Sequence, residues 1–228
     1  MLSSTVATFQ DNSSHGEDNF LLRDLGDNSF MDCVMDGVTG HGGEEASQSV
    51  VDALSAATIK SPEDIVAALE AVNQEFYEVG GGRFLLTTVS IVLYQDDKLH
   101  VISAGDSPVF HIIGDSIRQI SGRMGGFLHV GVAKAIGANE TLTNLARAEL
   151  PVEPGTRLVL ATDGVTDNML VEELSDIIRA APSASDAAEK TNEVVEGRLG
   201  KGGGPEQLGR RFRHDDRTAI FRFFPPAA

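Results

Sequence analysis

Aspartates stand beside glycine or beside a second aspartate at four places: Asp36-Gly37, Gly105-Asp106, Asp163-Gly164 and Asp215-Asp216. Most close an apolar run, such as RLVLAT before Asp163. A strand stiffens the backbone behind its terminal carboxylate, and a following glycine lets chain or ligand approach closely. An isolated Asp-Gly is ordinarily a turn. Two that each follow an apolar strand are harder to dismiss, and the set reads as a carboxylate metal site at strand ends.

The elements that would position these groups are mostly strands. Residues 30–35, 88–94, 99–104, 109–113, 116–120, 157–162 and 218–224 read as strands, with hairpin turns at QDDK and at Gly114-Asp115. Between the first strands and the hairpin, Ala46, Val50, Leu54 and Ala57 recur at helical spacing from Glu44 onward. A second helix carries Ser61 as cap, Pro62, Glu63 and Asp64 in its first turn, and the stripe Ile65, Leu69, Val72, Phe76, before Gly80-Gly81-Gly82 stops it. A further helical pair is expected over residues 171–179 and 185–199, around Pro182. Helices grouped in sequence among antiparallel strands predict an α+β fold, with helices covering the outer faces of a sheet pair. Residues 121–144 give no clear element.

Composition bounds the partners. The 228 residues suit one domain, residues 1–228, with one sizeable core. Acidic residues outnumber basic ones 34 to 18, for a formal charge of −16, so nucleic acid and anionic membranes are poor partners. The first residues show no basic segment followed by an apolar one, and no window reaches the roughly 18 apolar residues of a membrane span. The lone cysteine, Cys33, lies in an apolar run, reads as a small core residue and suits a reducing compartment. A soluble, cytoplasmic protein is the expectation; the oligomeric state is not readable.

Residues 36–47, DGVTGHGGEEAS, resemble the Asp-Gly-x-Gly-Gly-His-x-x-Gly-Glu-x-Ala-Ser signature of bacterial metal-dependent serine/threonine protein phosphatases, the type 2C class. Further matches follow in the right order: Gly16-Glu17-Asp18-Asn19, Thr87-Thr88, Ala104-Gly105-Asp106-Ser107, residues 161–167 (ATDGVTD) and Asp215-Asp216-Arg217-Thr218. Each is weak alone; the ordered set spans residues 16–224. The final Asp-Asp-x-Thr resembles the branch containing the stage II sporulation E and stress-sigma-factor regulatory phosphatases.

The resemblance implies a central antiparallel β-sandwich with helices on both outer faces, in four layers. It implies two divalent ions, manganese or magnesium, in a cleft at one sandwich edge. By position, Asp36 would bridge both ions, the Gly37 carbonyl would bind one, and Asp163 and Asp215 would complete the protein's share. Asp18 would act through water, and Asp106 would help hold a third, weaker ion. Such donors are hard oxygens without Cys or His, which favours magnesium or manganese over zinc. Two ions of this kind lower the pKa of a shared water and yield hydroxide near neutral pH, placed for in-line attack on phosphorus. The substrate class implied is a phosphoserine or phosphothreonine protein in a regulatory pathway.

The leaving oxygen needs a proton, and His41, in a glycine-rich turn five residues after Asp36, is the candidate donor. The alternative is a histidine that only hydrogen-bonds the loop backbone. His100 and His111 fall on strand surfaces, His129 in a loop, and His15 and His214 beside motifs; each has a weaker claim. Two departures from the family pattern stand out: Ser13 where many members carry a phosphate-binding arginine, and Pro108 after Ser107. The glycine-rich stretch 200–214 carries Lys201, Arg210, Arg211 and Arg213 directly before Asp215, and could supply the missing cation to a substrate phosphate. The plainer reading is solvated loop charge that screens an acidic cleft. A haloacid-dehalogenase-type site lacks its nucleophile, because Ala161 precedes Thr162-Asp163-Gly164, and no P-loop is present. The remaining rival is a phosphatase-like module that binds metal or a phosphoprotein without turnover. Specificity would lie in residues 121–144 and 167–199.

Overall fold

Ten strands form two five-stranded sheets, each wholly antiparallel, in the computed structural model, which describes residues 3–122, 134–143 and 145–227. The first sheet has the order β1 (Thr5–Asp11), β10 (Arg217–Phe223), β9 (Arg157–Ala161), β6 (Val109–Ile113), β7 (Ser116–Gln119). The second has the order β2 (Asp18–Gly26), β3 (Ser29–Asp36), β4 (Val89–Gln95), β5 (Lys98–Ala104), β8 (Ala146–Pro151). Helices α1 (Gly43–Ala56) and α2 (Pro62–Gly80) cover the second sheet; α4 (Val171–Ala180) and α5 (Ala184–Lys201) cover the first. The expected four-layer α+β sandwich is the observed one. None of the described helices is long and apolar enough to cross a membrane.

Central strands bury both faces, which is why they read in sequence as unbroken apolar runs. In β3, Met31, Cys33 and Met35 pack under α1 and α2, while Phe30 and Val34 face the other sheet. In β10, Ala219, Phe221 and Phe223 pack toward α4 and α5, and Ile220 faces inward. The inward faces also carry one charged pair. Arg222 donates from Nε and Nη2 to Asp32 at 2.5 and 2.7 Å and lies over the Phe30 ring at 3.7 Å, pinning β10 to β3 across the sandwich.

The expected strands and helices are present, with ends displaced by a residue or two. Strands β1, β2 and β8 have no counterpart in the sequence reading, and all three lie at sheet edges. Their side chains are largely half-buried or exposed, so they lack a continuous apolar signal. Residue Asp163, expected simply to end a strand, begins the short helix α3 (Asp163–Thr166). His111 is buried, not on a strand surface. Ile136, within the stretch that gave no element, bridges to Thr87; His129 and residues 123–133 lie outside the described residues.

Candidate active site

Antiparallel alternation returns the chain to one end of the sandwich at every second crossing, and the acidic motifs all fall at that end. Asp36 is the last residue of β3 and pairs in register with Asp18, the first of β2. Asp106 follows β5, Asp163 follows β9, and Asp215 and Asp216 precede β10. The loop after Asp36 is held by main-chain bonds from Gly37 N to the Glu17 carbonyl (3.1 Å) and from Val38 N to the Leu86 carbonyl (2.9 Å). Thr87 Oγ1 donates to the Asp36 carbonyl at 3.1 Å. Two glycines are required by contact. A Cβ on Gly37 would lie 2.4 Å from the Gly43 backbone, and one on Gly164 would lie 1.8 Å from the Asp216 carbonyl oxygen. Gly37 thus lets the loop after β3 fold back onto the start of α1, and Gly164 lets the start of the helix after β9 close against the loop before β10.

The electrostatics are those of crowded, desolvated carboxylates. Asp18 is 1% exposed, and burial pushes its carboxyl up to about 8; the Thr162 and Thr218 hydroxyls oppose this, and the Asp163 and Asp216 charges add to it. Thr162 Oγ1 donates to Asp18 Oδ2 at 2.7 Å. Burial, then the charges of Asp163, Asp18, Asp106 and Asp215, holds the Asp36 carboxyl well above the usual range. Asp163 is raised to about 6 by burial, against the pull of Arg213 and with the repulsion of Asp167, Asp106 and Asp215. Asp18, Asp36, Asp106, Asp163 and Asp215 therefore act on one another through a shared field.

Arg213 sits within that field. It donates from Nη2 to Asp163 Oδ2, and its Nε lies 3.1 Å from Asp215 Oδ2 and 3.8 Å from Asp167 Oδ2. Its backbone is fixed by a fully buried amide. Asn168 Nδ2 donates to the Arg213 carbonyl at 2.8 Å, Arg213 N donates to Asn168 Oδ1 at 3.2 Å, and Asn168 Nδ2 also donates to the Gly164 carbonyl at 2.7 Å. Among the expected arginines with described side chains, Arg213 is the one placed by such bonds; Arg211 is exposed in the 3-10 turn Glu206–Arg211, and the Arg210 side chain lies outside the described residues.

His41 donates from Nδ1 to the Arg83 carbonyl at 2.7 Å, which selects the tautomer and leaves Nε2 as the other ring nitrogen. Among the described histidines with weaker claims, His15 meets a carboxylate of the site: its Nδ1 lies 3.1 Å from Asp215 Oδ1. The Asp216 carboxylate, 3% exposed, accepts Ser14 N (3.0 Å), His15 N (2.9 Å) and Glu17 N (2.8 Å), and so shapes the loop that leads into Asp18. His15, Asp167, Asn168 and the role of Asp216 escaped sequence reasoning. Their partners stand far off in the chain, and Asp167 and Asp216 were visible only as members of acidic motifs.

The donor chemistry suits hard divalent ions: an all-oxygen set, desolvated, with more negative charge than Arg213 offsets. Among the described residues, no three acidic, histidine or cysteine side chains are grouped so that they could hold a metal ion as they stand. In this arrangement the Arg213 guanidinium bridges Asp163 and Asp215.

Two helix-flanked antiparallel sheets with carboxylates gathered at one end define the fold of the type 2C serine/threonine phosphatases. A family model for stage II sporulation protein E matches residues 31–221, and the chain belongs to that family. Solved structures agree in fold. PppA of Pseudomonas aeruginosa, described as a key regulatory component of its T6SS, is similar at 23% identity over 97% of this chain and 98% of its own, with a TM-score of 0.76. The catalytic domain of the serine/threonine phosphatase PstP, in complex with two manganese ions, is similar at 20% identity over 99% and 100%, TM-score 0.75. Stp1 of Staphylococcus aureus, a serine/threonine phosphatase, is similar at 19% identity over 98% and 95%, TM-score 0.76. No curated protein sequence matches the chain significantly.

Proposed function

We propose that the chain is a metal-dependent phosphatase acting on phosphoserine or phosphothreonine in a protein substrate. The observation that carries this reading is the gathering of Asp18, Asp36, Asp163 and Asp215, from four separated motifs, into one desolvated field at the sandwich end. Asp36, the Gly37 carbonyl, Asp163 and Asp215 would hold two manganese or magnesium ions, with Asp18 acting through water and Asp106 toward a third; PstP, of the same fold, was solved with two manganese ions. Bound ions supply Lewis acidity at phosphorus and a lowered pKa for a water. His41, with Nδ1 committed to the Arg83 carbonyl, would give the leaving serine oxygen its proton from Nε2 when the ring is the doubly protonated imidazolium. Arg213, with Arg210 and Arg211 nearby in the chain, supplies cations for the substrate phosphate or an acidic stretch of the substrate, in place of the arginine that Ser13 lacks. A regulatory role in the cytoplasm fits the family, the charge of −16 and the single buried cysteine.

The test is phosphate release from a phosphoserine and a phosphothreonine peptide with manganese, with magnesium and with EDTA. Turnover should require metal, should vanish in Asp163→Asn, and should fall in His41→Asn by about 10²–10⁴-fold, the usual size of a lost general acid. Manganese binding without turnover on any phosphopeptide would instead identify a binding module.

A further inference from the structure

Three observations single out Arg213. Its guanidinium reaches Asp163, Asp167 and Asp215, two of which are the carboxylates assigned above to the metal ions. Its main chain is bonded at both N and O by the buried Asn168 side chain, so the site holds this residue in place. Its side chain is nevertheless 45% exposed, with room to swing outward while the backbone stays put. A cation fixed at its root and free at its tip, seated on metal-binding carboxylates, cannot share those oxygens with a divalent ion at full strength.

We propose that Arg213 is the internal counter-ion of this site: its guanidinium and a divalent cation compete for Asp163 and Asp215, and binding of the metal releases the guanidinium toward the substrate phosphate. The inference rests on the phosphatase reading above. Without metal, the arginine neutralises the carboxylates and holds the loop before β10 against them. With metal, those carboxylates are satisfied, and the freed planar donor faces the cleft where a phosphate monoester would lie. Phosphate-binding charge would thus be presented only by a metal-loaded site.

The competition is measurable without turnover. Manganese affinity is read by calorimetry on the full chain for wild type, Arg213→Gln, Arg213→Lys and Arg211→Gln, after circular dichroism confirms that each is folded. Arg213→Gln should bind manganese about tenfold more tightly, within the roughly 5–150-fold range usual for coupled ligands. Arg213→Lys should fall between, because an ammonium cannot bridge two carboxylates through a planar fork. Arg211→Gln carries the same change in net charge and should bind as wild type does. In addition, the Arg213 Nε–Hε resonance, assigned by its loss in Arg213→Gln, should shift on titration of wild type with diamagnetic magnesium. Equal or weaker manganese binding by Arg213→Gln would overturn the proposal, as would equal tightening in Arg211→Gln. Both results leave the metal site standing. Absence of manganese binding in wild type would remove the phosphatase reading and this inference together.

Discussion

Raising the pH of the metal-free protein from 5 to 8 should destabilise it, and Asp163 should account for a defined part of the loss. Its carboxyl lies at about 6 in the folded protein against an ordinary value of 3.8. Between those values the native state keeps a proton that the unfolded chain has released. The native state then binds more protons, and stability falls as pH rises through the window. The whole displacement is about two pH units, of which about one lies above pH 5, so between pH 5 and 8 the loss is about 1.4 kcal/mol. For a chain of this length that corresponds to a Tm change of about 3–6 °C. Asp18, raised to about 8 by burial, acts in the same direction and carries the decline toward pH 8. His111 acts oppositely: burial and Arg118 lower its pKa, so its contribution to stability rises with pH up to about 6.5. The difference between wild type and Asp163→Asn cancels His111, which is common to both, and reads Asp163 together with the part of the Asp18 and Asp36 shifts that its charge causes. Melts followed by circular dichroism in EDTA at pH 5, 6, 7 and 8 should show the wild-type Tm falling relative to the variant. A difference that stays constant, or rises with pH, would refute the account of a desolvated carboxylate field. Manganese should flatten the profile, because an ion that binds only the folded state takes the place of the protons.

Two further outcomes concern the scaffold of the site. Arg222→Met leaves Asp32, fully buried, without its guanidinium, and should cost about 3–5 kcal/mol; pairing it with Asp32→Leu should recover most of that, as read by urea unfolding. Asp216→Asn places an amide donor against at least one of the main-chain donors of Ser14, His15 and Glu17, each lost acceptor costing about 1–3 kcal/mol. It should lower Tm and weaken manganese binding through the displaced Asp18, whereas an unchanged Tm with unchanged affinity would show that the 13–17 loop is held by other means.

The chain itself determined the central strands, the paired helices and the donors. Apolar runs long enough to be buried on both faces announce β3, β4, β9 and β10, and Ser61, Pro62 and Gly81 mark the ends of α2 through local capping chemistry alone. The aspartates at the ends of those runs were legible for the same reason: each sits one step beyond a local signal. Tertiary structure decided the rest. The edge strands β1, β2 and β8 exist because a neighbour completes their hydrogen bonds, and their half-exposed side chains carry no periodic pattern strong enough to announce them. Arg213 meets Asp163 across 50 residues of chain, Asn168 meets Arg213 across 45, and Asp216 meets Ser14 across 202. Such pairings depend on which strand ends the sandwich brings together. Composition therefore names the donors a site can offer, while the antiparallel topology determines which cation sits among them.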